Sequence, residues 1–174
     1  MEKYINKNTV NLYARTNEAL IQTKVTGIIV EFPGLGGNSC LGGFGAIIYS
    51  IESKHNIAAC GAACPCCDVL DRFHCKDSFA RTFIRAVADY DMPMEEALKT
   101  ISPMHRIGDM RKIPYFLVNC CDDEVFPEAQ LDEYVGKLKE MGHDVVYRKM
   151  PGKKHGEFIP EVKIALYDFL YSYA

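Results

Sequence analysis

Apolar residues in this chain come in short bursts separated by charged, helix-like stretches, and that alternation predicts a fold class before any chemistry is considered. Thr26 to Phe32 is a continuous apolar run rich in β-branched residues and ended by Pro33-Gly34, so it reads as a buried strand. Gly43 to His55 follows as a helix, with Ala46, Ile47, Tyr49 and Ile51 supplying apolar surface. Asn56 to Cys64 is apolar, small and bounded by Asn and Pro, which suits a central parallel strand better than a helix. Asp68 to Ile107 reads as helices with short breaks. Within it, Ser78 to Asp89 keeps helical spacing, Pro93 sits where a first helical turn tolerates proline, and Ser102-Pro103 starts a further turn. Ile113 to Cys120 is a strand, Glu128 to Met141 a charged amphipathic helix, Asp144 to Met150 a strand and Val162 to Tyr173 a closing helix. Nearer the start, Tyr4 to Tyr13 and Ala19 to Lys24 read as short strands.

Strand and helix in alternation imply an α/β fold: a mostly parallel sheet with helices on both faces. Residues 1–174 are expected to form a single domain, with 68–107 as a helical cap segment. At 174 residues one core is the expectation, since domains commonly run to roughly 100 to 200 residues. A net charge of -3 offers no basic surplus for a phosphate backbone, so nucleic acid is not expected as a partner. Met1 to Lys24 lacks the apolar core of a signal peptide and no run approaches the ~20 apolar residues that span a bilayer. The expectation is a cytoplasmic protein with no membrane partner. Eight cysteines would then be reduced thiols. Cys64, Cys66, Cys67, His74 and Cys75 cluster like a zinc site, but without two separated C-x-x-C knuckles, so the main reading assigns no metal and no cofactor. A thiol-metal protein built on Cys64, Cys66, Cys67 and Cys75 is the least favoured alternative.

Ligands of parallel sheets gather at the carboxyl ends of the strands. Three such ends carry chemistry here: the glycine-rich PGLGGNSCLGGFGA (Pro33 to Ala46), CDDEVFP after Ile113 to Cys120, and PGKKHGEF after Asp144 to Met150. A thiol or hydroxyl, a carboxylate and an imidazole therefore occur in chain order at one end of the sheet. A hydroxyl or thiol is a weak nucleophile at neutral pH, an imidazole can take its proton, and a carboxylate can hold the imidazole's tautomer. His155 stands in a glycine loop, and Asp122 or Asp123 sits just past a buried strand. His55, His74, His105 and His143 lack comparable surroundings and read as structural or surface groups. The glycine stretch has neither the G-K-[ST] ending of a P-loop nor a G-x-G-x-x-G match.

From Gly42 to Phe158 the chain resembles the α/β-hydrolase superfamily, in particular its prolyl oligopeptidase-like and dienelactone hydrolase-like branches. GGFGAIIYSIESKHNIAACGAACP is similar to the helix and strand after their nucleophile. Ser102 to Phe158 is similar to their acid strand, helix and histidine loop, with the acid motif read at Asp123 to Pro127 (D-x-V-x-P here) and G-x-x-H-G at Gly152 to Gly156. The resemblance implies Asp123 and His155 as triad members, with no cofactor. The family elbow G-x-[SC]-x-G-G meets one residue too many in Gly37 to Gly43: counting back from the helix selects Cys40, which is preferred, and counting forward from Gly37 selects Ser39. Backbone N–H groups of Leu35 and Leu41 would form the oxyanion hole.

In the family a long stretch separates the oxyanion loop from the elbow, whereas here IIVEFPGLGG and SCLGG run together. Either Thr26 to Phe32 serves as the nucleophile strand of a compact variant with reduced strand number, or an internal block is missing and the nucleophile with it. The first reading is a hydrolase of a small ester or short peptide-like substrate. The second is a catalytically inactive hydrolase-like binding or assembly module, in which a homodimer covers exposed sheet edges.

Overall fold

A computed structural model of the chain describes residues 2–7, 10–15 and 40–173. The segments Thr26 to Phe32 and Ala19 to Lys24, expected as strands, lie outside the described residues, as do Leu35 and Ser39. The chain divides into two compact units, the first containing β1 (Glu2–Lys7) and β2 (Val10–Arg15) and the second spanning Val30–Tyr173.

In the first unit β1 and β2 pair antiparallel, with Lys7 opposite Val10. The single strand expected over Tyr4 to Tyr13 is thus two strands of a hairpin. β1 ends at Lys7 and β2 begins at Val10, so the segment divides between those two residues.

In the second unit the elements follow in the order α1 (Cys40–Glu52), β3 (Cys60–Ala63), α2 (Val69–His74), α3 (Ser78–Ala86), α4 (Met94–Thr100), a 3-10 segment (Pro103–Asp109), β4 (Tyr115–Cys120), α5 (Glu128–Glu140), β5 (Val145–Met150) and α6 (Pro160–Tyr171). The three strands form one parallel sheet in the order β3-β4-β5, with Cys60 opposite Tyr115 and Tyr115 opposite Val145. This is an α/β architecture of a parallel sheet flanked by helices.

β4 is buried along its whole length, as a strand covered on both faces must be. Its side chains alternate between two cores. Tyr115 and Leu117 pack with Ile47 of α1 and with Leu131, Tyr134, Val135 and Leu138 of α5. Phe116, Val118 and Cys120 pack on the other face, against Val162, Ala165, Leu166 and Phe169 of α6. A third cluster, with Cys66, Val69, Phe83, Val87, Leu98 and Phe126, gathers α2, α3 and α4 beside the loop after β4.

One glycine sets how closely helix and sheet meet. A Cβ on Gly43 would lie 2.6 Å from the Ala63 carbonyl oxygen and 3.3 Å from Pro65 Cα, so α1 crosses the end of β3 at a distance only glycine allows. Cys40 begins α1 three residues earlier, about 4.5 Å along the axis.

Candidate active site

The parallel register puts the carboxyl ends of β3, β4 and β5 side by side, so Cys64, Asp123 and His155 leave the sheet from the same edge. The loop after β4 is tied to the loop after β5 through the backbone: Cys121 N–H donates to Met150 O at 3.1 Å and Asp122 N–H to Lys153 O at 3.0 Å. Gly152 (φ 69°) and Gly156 (φ 79°) take left-handed backbone angles on either side of His155, where a side chain would be strained. The glycine loop therefore turns sharply and carries the ring back over the sheet.

Asp123 is saturated with partners. Its Oδ1 accepts the backbone N–H groups of Val125 at 2.8 Å and Phe126 at 2.9 Å, which fixes the turn into α5. Its Oδ2 lies 2.6 Å from Nδ1 of His155. The Asp123 side chain is fully buried and that of His155 only 7% exposed, so the contact is shielded from water. An ionised carboxylate can only accept, so Nδ1 carries the proton and Nε2 of the neutral ring is left with its lone pair. Nε2 is buried and meets no hydrogen-bond partner among the described residues. The imidazole is further held by an edge-on contact with Phe126, ring centroids 5.6 Å apart, and the His155 backbone N–H donates to Glu124 Oε2 at 3.4 Å. Arg72 spans the same corner, donating to Val125 O at 2.8 Å, stacking over Phe79 and Phe126, and pairing with Asp77.

The structure brings together Asp123 and His155, as their places in the sequence imply. Of the other residues expected at the site, Cys40 is the first residue of α1, and the backbone N–H of Leu41 belongs to the helix's first turn, where N–H groups lack intrahelical acceptors. The Leu41 side chain packs against the cluster of α2, α3 and α4. Ser39 and Leu35 lie outside the described residues.

Sequence reasoning missed one neighbour. Cys64 Sγ, a carboxylate oxygen of Asp123 and a ring nitrogen of His155 all lie within 4.8 Å of one another. Cys64 is buried and has φ 43°, an uncommon backbone angle for a residue other than glycine. Burial pushes its thiol above the usual cysteine range, and its hydrogen bond with the Cys120 thiol adds to the rise. The available signal was its place one residue past a buried strand, at the same level as the other two.

The remaining cysteines do not form the metal cluster that Cys64, Cys66, Cys67, His74 and Cys75 suggest. Among the described residues the one group of potential ligands is Cys64 with Asp123 and His155. Cys66 and Cys67 are fully buried, with their thiols directed at the carbonyls of Asp68 and Pro65, and Cys75 is exposed with its thiol toward Asp71 O. Cys66 and Cys67 behave as small apolar residues. The loop that holds them is satisfied by side chains instead: Gln130 Oε1 accepts from Cys67 and Asp68 N–H, Ser102 Oγ from Val69 N–H, and Asp68 Oδ1 caps α2.

No protein-family model matches the chain, and no curated protein matches it at significance. Solved structures do. A puromycin-hydrolyzing peptidase of Mycobacterium tuberculosis superposes with a TM-score of 0.61 at 17% identity, covering 78% of this chain and 21% of the peptidase. Acylaminoacyl peptidase of Pyrococcus horikoshii gives 0.58 at 19% identity over 76% of this chain and 22% of its own. Esterase B of Lactobacillus rhamnosis gives 0.58 at 11% identity over 77% and 50%. The chain thus spans about a fifth of the peptidases and half of the esterase. With a parallel sheet between helices and an acid and histidine at its carboxyl edge, the chain carries the α/β-hydrolase fold of prolyl oligopeptidase-type peptidases and esterases.

Proposed function

We propose that this protein is a hydrolase of small ester or peptide-like acyl substrates, acting through a nucleophile, His155 and Asp123. The observation that carries the reading is the buried 2.6 Å contact between Asp123 Oδ2 and His155 Nδ1, which leaves the Nε2 lone pair free to take a proton. Cys40, or Ser39 beside it, attacks the acyl carbonyl while Nε2 accepts the thiol or hydroxyl proton. Asp123 stabilises the imidazolium that forms, and the proton then passes to the leaving group. The N–H of Leu41, in the first turn of α1, and that of Leu35 hold the oxyanion, a contribution of about 3–4 kcal/mol per donor. Residues 68–107 cap the pocket and set the acyl group it accepts, and no cofactor takes part. Neither nucleic acid nor membrane is a partner in this reading, and the protein works in the cytoplasm. Among the described residues no helix is long and apolar enough to cross a membrane.

Turnover of short-chain p-nitrophenyl esters tests this. His155→Ala should abolish it while leaving the circular dichroism spectrum unchanged. Full activity in that variant removes the relay.

One observation favours a second reading, an inactive hydrolase-like module that assembles as a homodimer: Nε2 meets no hydroxyl or thiol within hydrogen-bond reach among residues 41–173. Sedimentation of a folded dimer without esterase activity would establish it.

A further inference from the structure

We propose that Arg72 is a positioning residue for the Asp123–His155 pair, acting through the peptide group that joins Val125 to Phe126. That peptide is held at both ends. Its N–H, on Phe126, donates to Asp123 Oδ1 at 2.9 Å, and its carbonyl, on Val125, accepts from Arg72 Nη1 at 2.8 Å. The other oxygen of Asp123 lies 2.6 Å from His155 Nδ1. Guanidinium, peptide, carboxylate and imidazole therefore form one hydrogen-bonded chain, in which a cation polarises the peptide whose N–H meets the carboxylate. The Asp123 side chain is fully buried, and in a buried chain each bond strengthens its neighbours, so the far end feels the loss of the near one.

Arg72 is itself fixed from the helical segment. It stands on α2 and pairs with Asp77, the N-cap of α3. Its guanidinium carbon lies 5.5 Å from the ring centroid of Phe79 and 5.7 Å from that of Phe126, and Phe126 in turn meets the imidazole edge-on at 5.6 Å. Arg72 thus reaches the pair along two routes, the peptide and the Phe126 ring. Core filling alone does not account for a cation here. Its Nε is buried without a hydrogen-bond partner among the described residues, a cost that an apolar side chain such as Met would avoid. The consequence for turnover rests on the proposed hydrolase reading: Arg72 touches no reacting atom, so its loss should lower kcat and leave KM nearly unchanged.

Downfield proton NMR of the full chain tests the placement without requiring activity, because a buried ring N–H hydrogen-bonded to a carboxylate resonates well outside the amide range. The parent should show this resonance, and His155→Ala should lack it, which assigns it. In Arg72→Met it should vanish or exchange with solvent about tenfold faster, whereas Arg81→Met, at an exposed position of α3, should match the parent. Turnover of short-chain p-nitrophenyl esters by Arg72→Met should fall about 10²-fold in kcat. A resonance absent from the parent, or unchanged in Arg72→Met, overturns the proposal, as does its loss in Arg81→Met or an active parent whose kcat Arg72→Met leaves unchanged. Should Arg72→Met not fold, Arg72→Gln, polar but uncharged, is held to the same results. Ester turnover absent from the parent removes the hydrolase reading and leaves this proposal to the resonance, whereas turnover with an unchanged resonance in Arg72→Met does the reverse.

Discussion

The loop that leaves β3 and the loops that leave β4 and β5 emerge from one edge of the same sheet, yet they solve the problem of burial in opposite ways. After β4 and β5 a carboxylate and an imidazole go inside together, and every oxygen of Asp123 is used: two backbone N–H groups on one, the ring on the other. After β3 the side chains that go inside are thiols, Cys66 and Cys67, which need no strong partner, and the backbone polar groups are satisfied from elsewhere by Gln130 and Ser102. A buried ion needs a network. A buried thiol needs only space. Cys64 is where the two regimes meet, a thiol of the first loop among the polar groups of the second.

The comparison is most severely tested at Asp123. Asp123→Asn keeps an oxygen for the Val125 and Phe126 N–H groups but presents the wrong group to the imidazole, so ester turnover should fall about 10⁴-fold with stability nearly intact. Asp123→Ala strands both N–H groups as well, and urea unfolding should show a loss of about 3 kcal/mol. Equal stability of the two variants would mean the carboxylate does not build the turn. Next in size is Gly43→Ala, whose Cβ meets the Ala63 carbonyl at 2.6 Å, with an expected cost of about 2 kcal/mol in thermal or urea unfolding. An unchanged midpoint there would deny the close crossing of α1 over β3. In the thiol loop Cys67→Ser should destabilise by about 1 kcal/mol, and Cys75→Ser, on the surface, should stay within about 0.5 kcal/mol.

The smallest effect concerns pH. His143, buried after α5 with Nδ1 unpartnered among the described residues, is held below the ordinary histidine value of 6.5 by burial and then by the charge of Lys112. Its folded-state affinity for a proton is lower than in the unfolded chain. Its contribution is therefore complete above pH 6.5 and is lost as pH falls through the lowered value. Urea midpoints compared at neutral and mildly acidic pH should draw together in His143→Gln. An identical acid response in that variant would place the sensitivity elsewhere.

The half of the molecule from Ile113 onward was legible in the sequence because its signals are long and local. The apolar run of β4, the charged spacing of α5 and the Gly-x-x-His-Gly turn each identify themselves, and parallel connection then forces Asp123 and His155 to one edge. The hairpin was read as one strand because apolar alternation on either side of Asn6-Lys7-Asn8 hides the reversal between Lys7 and Val10. Cys64 was not recognised as a neighbour of Asp123 and His155 for a different reason. Its sequence neighbours Cys66 and Cys67 suggest a ligand set, whereas its chemical partners stand 59 and 91 residues further on (123 − 64 and 155 − 64), which only the sheet register brings close.

The measurement that reaches the central claim most directly is active-site labelling mapped by mass spectrometry, with a fluorophosphonate for Ser39 and iodoacetamide for Cys40, in the parent protein and in His155→Ala. If Asp123 and His155 activate a nucleophile at the start of α1, one of these two residues is labelled at stoichiometric yield in the parent and loses most of that reactivity in His155→Ala. Label that is absent from both residues, or equal in the two proteins, would contradict the account.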